Sequence, residues 1–353
     1  MKAGGKLRIG IVGAGSVTEA AHLPYLSTFR DVEIVGIADV NIERAKYLAS
    51  KFGIPFYTES YAELVKDKSV DIVDVCTPPF VRSEIVELCG INGKDVIVEK
   101  PLALDVPEAL KIQAIAEATG IRIGMVFPLR YAGFIRRALV ALNSKEFGQI
   151  ENIIIESHTF EPHWKWMHEK WQRDYGVLYD LFPHLLDLVT WMTQAVPVYV
   201  FGESSGINGN NYTIMMKMRL PSGKEFVVSS SLKWTKSCSR RLVSFYGTSA
   251  DLHLDLQDEL LFMARGYLTP ISQTVILAKR IVSFGRRVAG GGLRKGAMRY
   301  HKPLLRDFIS SLSKKEYPSV SLADGILNCV CLDACKTSLR ERRTVNIDSE
   351  DLP

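Results

Sequence analysis

Ile9-Gly-Ile-Val-Gly13-Ala-Gly15-Ser-Val-Thr18 is the stretch that decides the fold. Leu7 to Val12 is an apolar run of strand length. The turn Gly13-Ala14-Gly15 follows, and then a segment with helical spacing to about Phe29. Gly13 permits a tight turn, and Gly15 lets backbone approach a phosphate closely. Gly13, Gly15, Ser16 and Val17 therefore form a candidate cradle for a dinucleotide pyrophosphate at the positive end of a helix. Thr18 takes the place of the third glycine of the usual pattern, so the strand–turn–helix context carries the reading.

The pattern continues outward from this loop. Val32–Ala38 reads as a second strand, and a helix is expected over Ile42–Phe52. A short strand at Ile54–Tyr57 follows, then a helix opened by Ser60, a strand Val70–Thr77 and a helix Val81–Asn92. A strand Asp95–Val98, a helix Pro107–Thr119 and a strand Ile123–Phe127 complete the series. Alternating strands and helices predict a doubly wound parallel sheet, a Rossmann domain over residues 1–127. Asp39 closes the second strand, where a carboxylate can accept both hydroxyls of an adenosine ribose and repel a 2′-phosphate. NAD is therefore expected over NADP, with Arg44 one turn later as the feature that favours NADP.

The remainder, 128–353, reads as a substrate-binding and oligomerisation domain. A helix is expected over Phe134–Ser144 and a long strand over Ile150–Phe160. A helix through Asp180 and His184 to about Met192 comes next. Strands follow at Val196–Ser204, Tyr212–Leu220, Glu225–Leu232, Arg241–Gly247, Leu252–Asp255 and Leu260–Ala264, with turns such as Pro221-Ser-Gly223 at hairpin distances. The expectation is an open, mostly antiparallel sheet of about six strands with helices on one face. Helices His301–Leu312 and Leu322–Arg340 close the chain, the last able to pack back on the first domain.

Composition bounds the class. The 353 residues, 47% apolar and 24% charged, describe a globular protein of two domains. No apolar run reaches the roughly 20 residues of a membrane span. The first residues lack a signal-peptide core, so a cytoplasmic protein is expected. Six cysteines, none in a Cys-x-x-Cys pair, read as buried thiols, and no metal is expected. The net charge of +5 is uneven, with ten Lys or Arg and no acid from Arg265 to Arg306. The basic stretch 279–302 allows a solvated helix face, a site for substrate phosphates, or contact with an anionic membrane surface. No DNA- or RNA-binding signature accompanies it, so nucleic acid is not expected.

The chemistry-bearing residues lie at strand ends and on one later helix. Thr77-Pro78-Pro79 follows the fourth strand, and Glu99-Lys100-Pro101 follows the fifth. Both mark the carboxyl ends where doubly wound sheets bind ligands. A lysine there can hold a substrate hydroxyl and favour its ionisation. Asp180 and His184 are four residues apart, and helical spacing puts both on one face, where they can bind a hydroxyl and move its proton. Trp164, in an aromatic stretch before that helix, suits stacking on a sugar.

Taken together these motifs resemble the glucose–fructose oxidoreductase, inositol dehydrogenase and rhizopine-catabolism family. That family carries a glycine-rich loop, a Thr-Pro-Pro-like turn, Glu-Lys-Pro and Gly-Gly-x-x-x-Asp-x-Gly-x-His-x-x-Asp. Here the last motif reads Gly176-Val-Leu-Tyr-Asp180-Leu-Phe-Pro-His184-Leu-Leu-Asp187. Gly176 keeps one of its glycines, with Asp174 and Tyr175 before it, Phe182 replaces the glycine between Asp180 and His184, and Arg82 stands where many relatives carry a histidine. The resemblance implies hydride transfer between nicotinamide and a hydroxyl or keto carbon of a sugar, nucleotide sugar or cyclitol. It implies a catalytic group of Lys100, Asp180 and His184, and assembly as a homodimer or homotetramer. A non-catalytic dinucleotide-binding regulator and an NAD-recycling glycosidase or eliminase are the alternative readings.

Overall fold

The computed structural model describes residues 5–160, 176–205, 211–236, 239–266 and 296–353. The chain folds as two compact units. Unit one comprises 1–131 and 297–329, with residue 353; unit two comprises 132–296 and 330–352.

Unit one is built on six parallel strands: β1 (Leu7–Val12), β2 (Val32–Ala38), β3 (Tyr57–Thr58), β4 (Ile72–Val75), β5 (Asp95–Glu99) and β6 (Ile123–Val126). Their order is β3-β2-β1-β4-β5-β6, the doubly wound arrangement whose ligand crevice lies at the carboxyl ends of the strands. Local chemistry sets the helix boundaries. Asn41 and Asp105 accept hydrogen bonds from the third residue beyond them and so cap Ile42–Phe52 and Val106–Thr119. Gly53 and Gly120 end the same helices in left-handed conformations.

A C-terminal segment completes this unit. The helix His301–Ser313 buries Leu304, Leu305, Phe308 and Ile309. A side chain at Gly124 on β6 would meet the Phe308 ring at 3.1 Å, so the glycine gives the helix its close approach to the sheet. Tyr131 Oη donates to Asp307 Oδ2 at 2.7 Å, and Arg130 pairs with Asp324 at 2.7 Å. The last helix, Leu322–Glu341, contributes its first residues to unit one and the remainder to unit two.

Unit two carries β7 (Ile150–Phe160), β8 (Val196–Ser205), β9 (Asn211–Arg219), β10 (Glu225–Thr235), β11 (Arg240–Gly247), β12 (Asp251–Asp255), β13 (Leu260–Ala264) and β14 (Val345–Asn346). The sheet has eight strands, ordered β13-β12-β11-β7-β10-β9-β8-β14, against the six or so expected. The difference has two sources: β7 inserts between β11 and β10, and a two-residue strand after the last helix pairs with β8. Among the described residues every pairing in this sheet is antiparallel except β10 with β7. The hairpin at Pro221-Ser-Gly223 forms as read, with Gly223 at φ +85°.

Strand alternation splits the two faces of this sheet. Ile153, Ile155, Ile214, Met216, Val228, Val243 and Phe245 are buried on one. On the other, Phe201, Met215, Ser229, Ile154, Ser244, His253 and Phe262 are successive register partners, forming a band across seven strands. Within that band Ile154 and Met215 remain 41% and 44% exposed. Among the described residues, no helix is long and apolar enough to cross a membrane.

The segment bearing Asp180 and His184 is not one helix. Gly176–Asp180 and Phe182–Thr193 are separate helices that meet at Leu181. Pro183 supplies no N–H for the preceding turn and restricts Phe182 before it, so the run expected to be continuous is interrupted between the two candidate residues.

Candidate active site at the carboxyl edge of the parallel sheet

The glycine loop leaves β1 and turns at Gly13, φ +105°. A side chain there would meet Cys76 backbone at 2.8 Å, so only glycine lets this loop sit against the end of β4. Above Gly15 a Cβ would meet nothing within 4 Å, which leaves the backbone approach that a pyrophosphate needs. Thr18, in the third glycine position, closes the loop by donating from Oγ1 to Gly13 O at 2.7 Å. Helical backbone continues from Ser16 and Val17 through Leu26 and includes a π-helical turn over Thr18–His22.

Asp39 stands just past β2 and ties the loop to it. Its Oδ2 accepts from Ala14 N at 2.6 Å and its Oδ1 from Asn41 N at 2.8 Å. A carboxylate oxygen accepts more than one hydrogen bond, so each keeps capacity for a ribose hydroxyl. Thr77 Oγ1, past the end of β4, is buried and has no hydrogen-bond partner among the described residues. An orphaned hydroxyl at a carboxyl-edge turn, an open glycine backbone and an acid at the end of β2 together fit a dinucleotide.

Behind these turns lies a buried charge network that sequence reading missed. Asp74, in the centre of the sheet, and Glu99, at the end of β5, are both buried. His22 lies between them, with Nδ1 2.8 Å from Asp74 Oδ2 and Nε2 3.0 Å from Glu99 Oε1. Complete burial is the largest single influence on His22 and lowers its pKa, but the charge and hydrogen bond of Asp74, together with the neighbouring Cys76, outweigh it and the net shift is well above the usual 6.5. Both ring nitrogens then donate. Burial is the largest single influence on the Glu99 carboxyl and raises it, but the hydrogen bond and charge of His22, together with other positive groups nearby, outweigh it and hold the carboxyl at about 2. Burial pushes His301 down to about 4, leaving it neutral beside the pair, with Nδ1 3.0 Å from Met298 O. Burial also pushes the Cys76 thiol up to about 11. Among the described residues these side chains make two clusters of metal-ligand type, but both His22 nitrogens are already engaged in hydrogen bonds. A charged residue inside the apolar run Ile72-Val-Asp74-Val75 is the one sequence signal that pointed here.

The network fixes the Glu99-Lys100-Pro101 turn. Glu99 Oε2 accepts from Lys100 N at 3.1 Å. Arg82 is buried beneath both turns. Its Nε and Nη2 donate to Thr77 O at 3.0 and 2.5 Å, and its Nη1 donates to Glu99 O and Pro101 O. One guanidinium thus joins the turn after β4 to the turn after β5. Burial pushes its pKa down to about 10, so it stays charged at neutral pH. The Lys100–Pro101 peptide is cis.

Unit one therefore brings Gly13, Gly15, Ser16, Val17, Asp39, Thr77, Pro78, Glu99 and Lys100 to one edge of the parallel sheet. Asp180 and His184, both half-buried, belong to unit two. Trp164 and most of the basic stretch 279–302 lie outside the described residues.

The chain belongs to the family it resembles: residues 7–127 match the family model of the oxidoreductase family's NAD-binding Rossmann fold, and residues 141–347 match that of its C-terminal alpha/beta domain. It is an oxidoreductase with an NAD-binding domain. Myo-inositol 2-dehydrogenase of Thermotoga maritima is 24% identical, covering 97% of this chain and 99% of that protein. Glucose-6-phosphate 3-dehydrogenase of Bacillus subtilis is 30% identical over 53% of this chain and 54% of its own length. The WlbA dehydrogenase of Bordetella pertussis, solved with NADH and UDP-GlcNAcA, shares the fold. Its TM-score is 0.80 at 15% identity, covering 98% of this chain and 99% of that one.

The buried pair predicts a pH signature. A carboxyl depressed on folding contributes stability above its unfolded pKa of 4.5, and that contribution is lost as pH falls toward its folded value of about 2. Glu99→Gln should cost about 3 kcal/mol near pH 6, as expected for breaking a buried pair. The gap between wild type and variant should narrow by about 1 kcal/mol at pH 3.5. Urea denaturation at the two pH values measures it; a constant gap contradicts the assignment.

Proposed function

We propose that the protein is an NAD-dependent dehydrogenase or reductase of a sugar, nucleotide sugar or cyclitol. One observation carries the reading: Lys100 follows the same sheet edge as the glycine loop and Asp39, with its backbone N–H held by the buried Glu99. Gly13, Gly15, Ser16 and Val17 hold the pyrophosphate, and Asp39 takes the ribose hydroxyls. Thr77 and Pro78 line the nicotinamide end. Bound NAD supplies the hydride acceptor. In the oxidative direction His184 accepts the proton of the reacting hydroxyl, Lys100 polarises its oxygen, and Asp180 binds a neighbouring hydroxyl. Trp164 stacks on the sugar ring.

Features of unit two support a polyhydroxylated substrate. Ser157 Oγ, Ser230 Oγ and Trp234 Nε1 are buried without hydrogen-bond partners among the described residues. Ser157 on β7 and Trp234 on β10 lie toward the carboxyl ends of this parallel pair, Ser230 lies midway along β10, and the helix Gly176–Asp180 packs on β10. Unpaired donors and acceptors of this kind suit a ligand rich in hydroxyls.

The reading is tested by screening cyclitols, free sugars, sugar phosphates and nucleotide sugars with NAD for raised melting temperature, followed by NADH formation with the hits. Lys100→Met and His184→Ala should each lower turnover by about 10²-fold or more. NAD affinity and melting temperature should stay near wild type. Wild-type turnover in either variant contradicts the scheme. Failure to accumulate NADH at saturating substrate would instead favour a recycling reaction.

The same reading includes a homodimer or homotetramer formed through the open face of the eight-stranded sheet. The band containing Phe201, Met215, Ile154 and Phe262 supplies apolar area that association would cover. Light scattering on Ile154→Glu/Met215→Glu should show a smaller particle than wild type. An unchanged mass, or a monomeric wild type, contradicts this.

A further inference from the structure

Three charged side chains form a cluster that begins beside the ribose acid. Arg44 folds back over the glycine loop, with Nε 3.1 Å from Ala14 O, the residue whose own N–H bonds Asp39. Its Nη2 meets Glu19 Oε2 at 2.9 Å. Two turns further along the same helix, Lys51 Nζ meets Glu19 Oε1 at 2.6 Å. Tyr47 lies between them, with both cations 5.4 Å from its ring centre and its hydroxyl 3.3 Å from Glu19 Oε1. Hydrogen bonds from Lys51 and then Arg44 hold the Glu19 carboxyl below its ordinary range, so it is ionised at neutral pH. Arg44, Lys51 and Glu19 are 37%, 43% and 27% exposed, within reach of a phosphate from solvent.

An arginine near the end of β2 is the usual counter-charge for the 2′-phosphate of NADP. Here that cation is present but already occupied. We propose that Glu19 is a specificity-determining residue: it pins and neutralises Arg44 and Lys51, and so withholds from NADP the charges that would otherwise accept its 2′-phosphate. Cofactor choice is then set twice, by repulsion from Asp39 and by Glu19 sequestering the nearby cations. Neither ion pair alone is strong, because both are partly exposed. What Glu19 changes is the sum of charge at the site. Asp39, Glu19, Arg44 and Lys51 total zero with Glu19 ionised, and +1 without it. The inference rests on the reading of Asp39 as the ribose acid.

The test titrates NAD and NADP separately into the full-length cofactor-free protein by calorimetry. Glu19→Gln keeps the shape and removes the charge. NADP affinity should rise roughly tenfold while NAD affinity moves by less than about threefold. The gain should be larger in an Asp39→Ser background, should shrink at high salt, and should vanish when Arg44→Gln and Lys51→Gln are both added. A wild type that prefers NAD, with NADP affinity unmoved by Glu19→Gln, overturns this proposal alone. Equal weakening of both cofactors also overturns it, because Glu19 would then be holding the loop itself. A wild type that prefers NADP, or binds neither, overturns the Asp39 reading and this inference with it.

Discussion

Burying charge inside a parallel sheet is the constraint on which the rest of unit one depends. Asp74 and Glu99 are buried away from solvent, and an ion left alone in that setting costs several kcal/mol. His22 meets both, and both imidazole nitrogens donate. Arg82 then joins Thr77, Glu99 and Pro101 through their carbonyls. The turns after β4 and β5 are thus held by directional bonds to a rigid core. Exposed loops at these points would have to position a lysine and a cofactor without such support.

The same logic explains the helix that carries His22. Its π-helical turn over Thr18–His22 lies between the glycine loop and the buried histidine. Thr18 closes the loop on one side while His22 anchors to the sheet on the other. The glycine loop and the charge network therefore share one short piece of backbone. A change in either reaches the other through five residues rather than through the whole fold.

Much was legible in the chain because its signals are local. Glycines at Gly13 and Gly15, alternating strand and helix periods, and an acid closing β2 each depend on near neighbours in sequence. The doubly wound order and the hairpins of unit two followed from such signals. Where reading failed, a local rule was set against a nearby exception or a distant partner. Helical spacing through Asp180 and His184 ignored Pro183, which breaks the run at Leu181. Turn residues revealed the hairpins but not the insertion of β7 between β10 and β11, since parallel pairing leaves no turn signature.

The sequence by itself determined the class of fold, the nucleotide loop and the residue types at the strand ends, since backbone propensity and period are properties of short segments. Only the tertiary structure decided what those residues touch. His22 and Asp74 are 52 positions apart, and His22 and Glu99 are 77. Arg44 and Glu19 are 25 apart, and nothing in either neighbourhood announces the other. A desolvated charge must find its partner in space, and a partner in space leaves no mark along the chain.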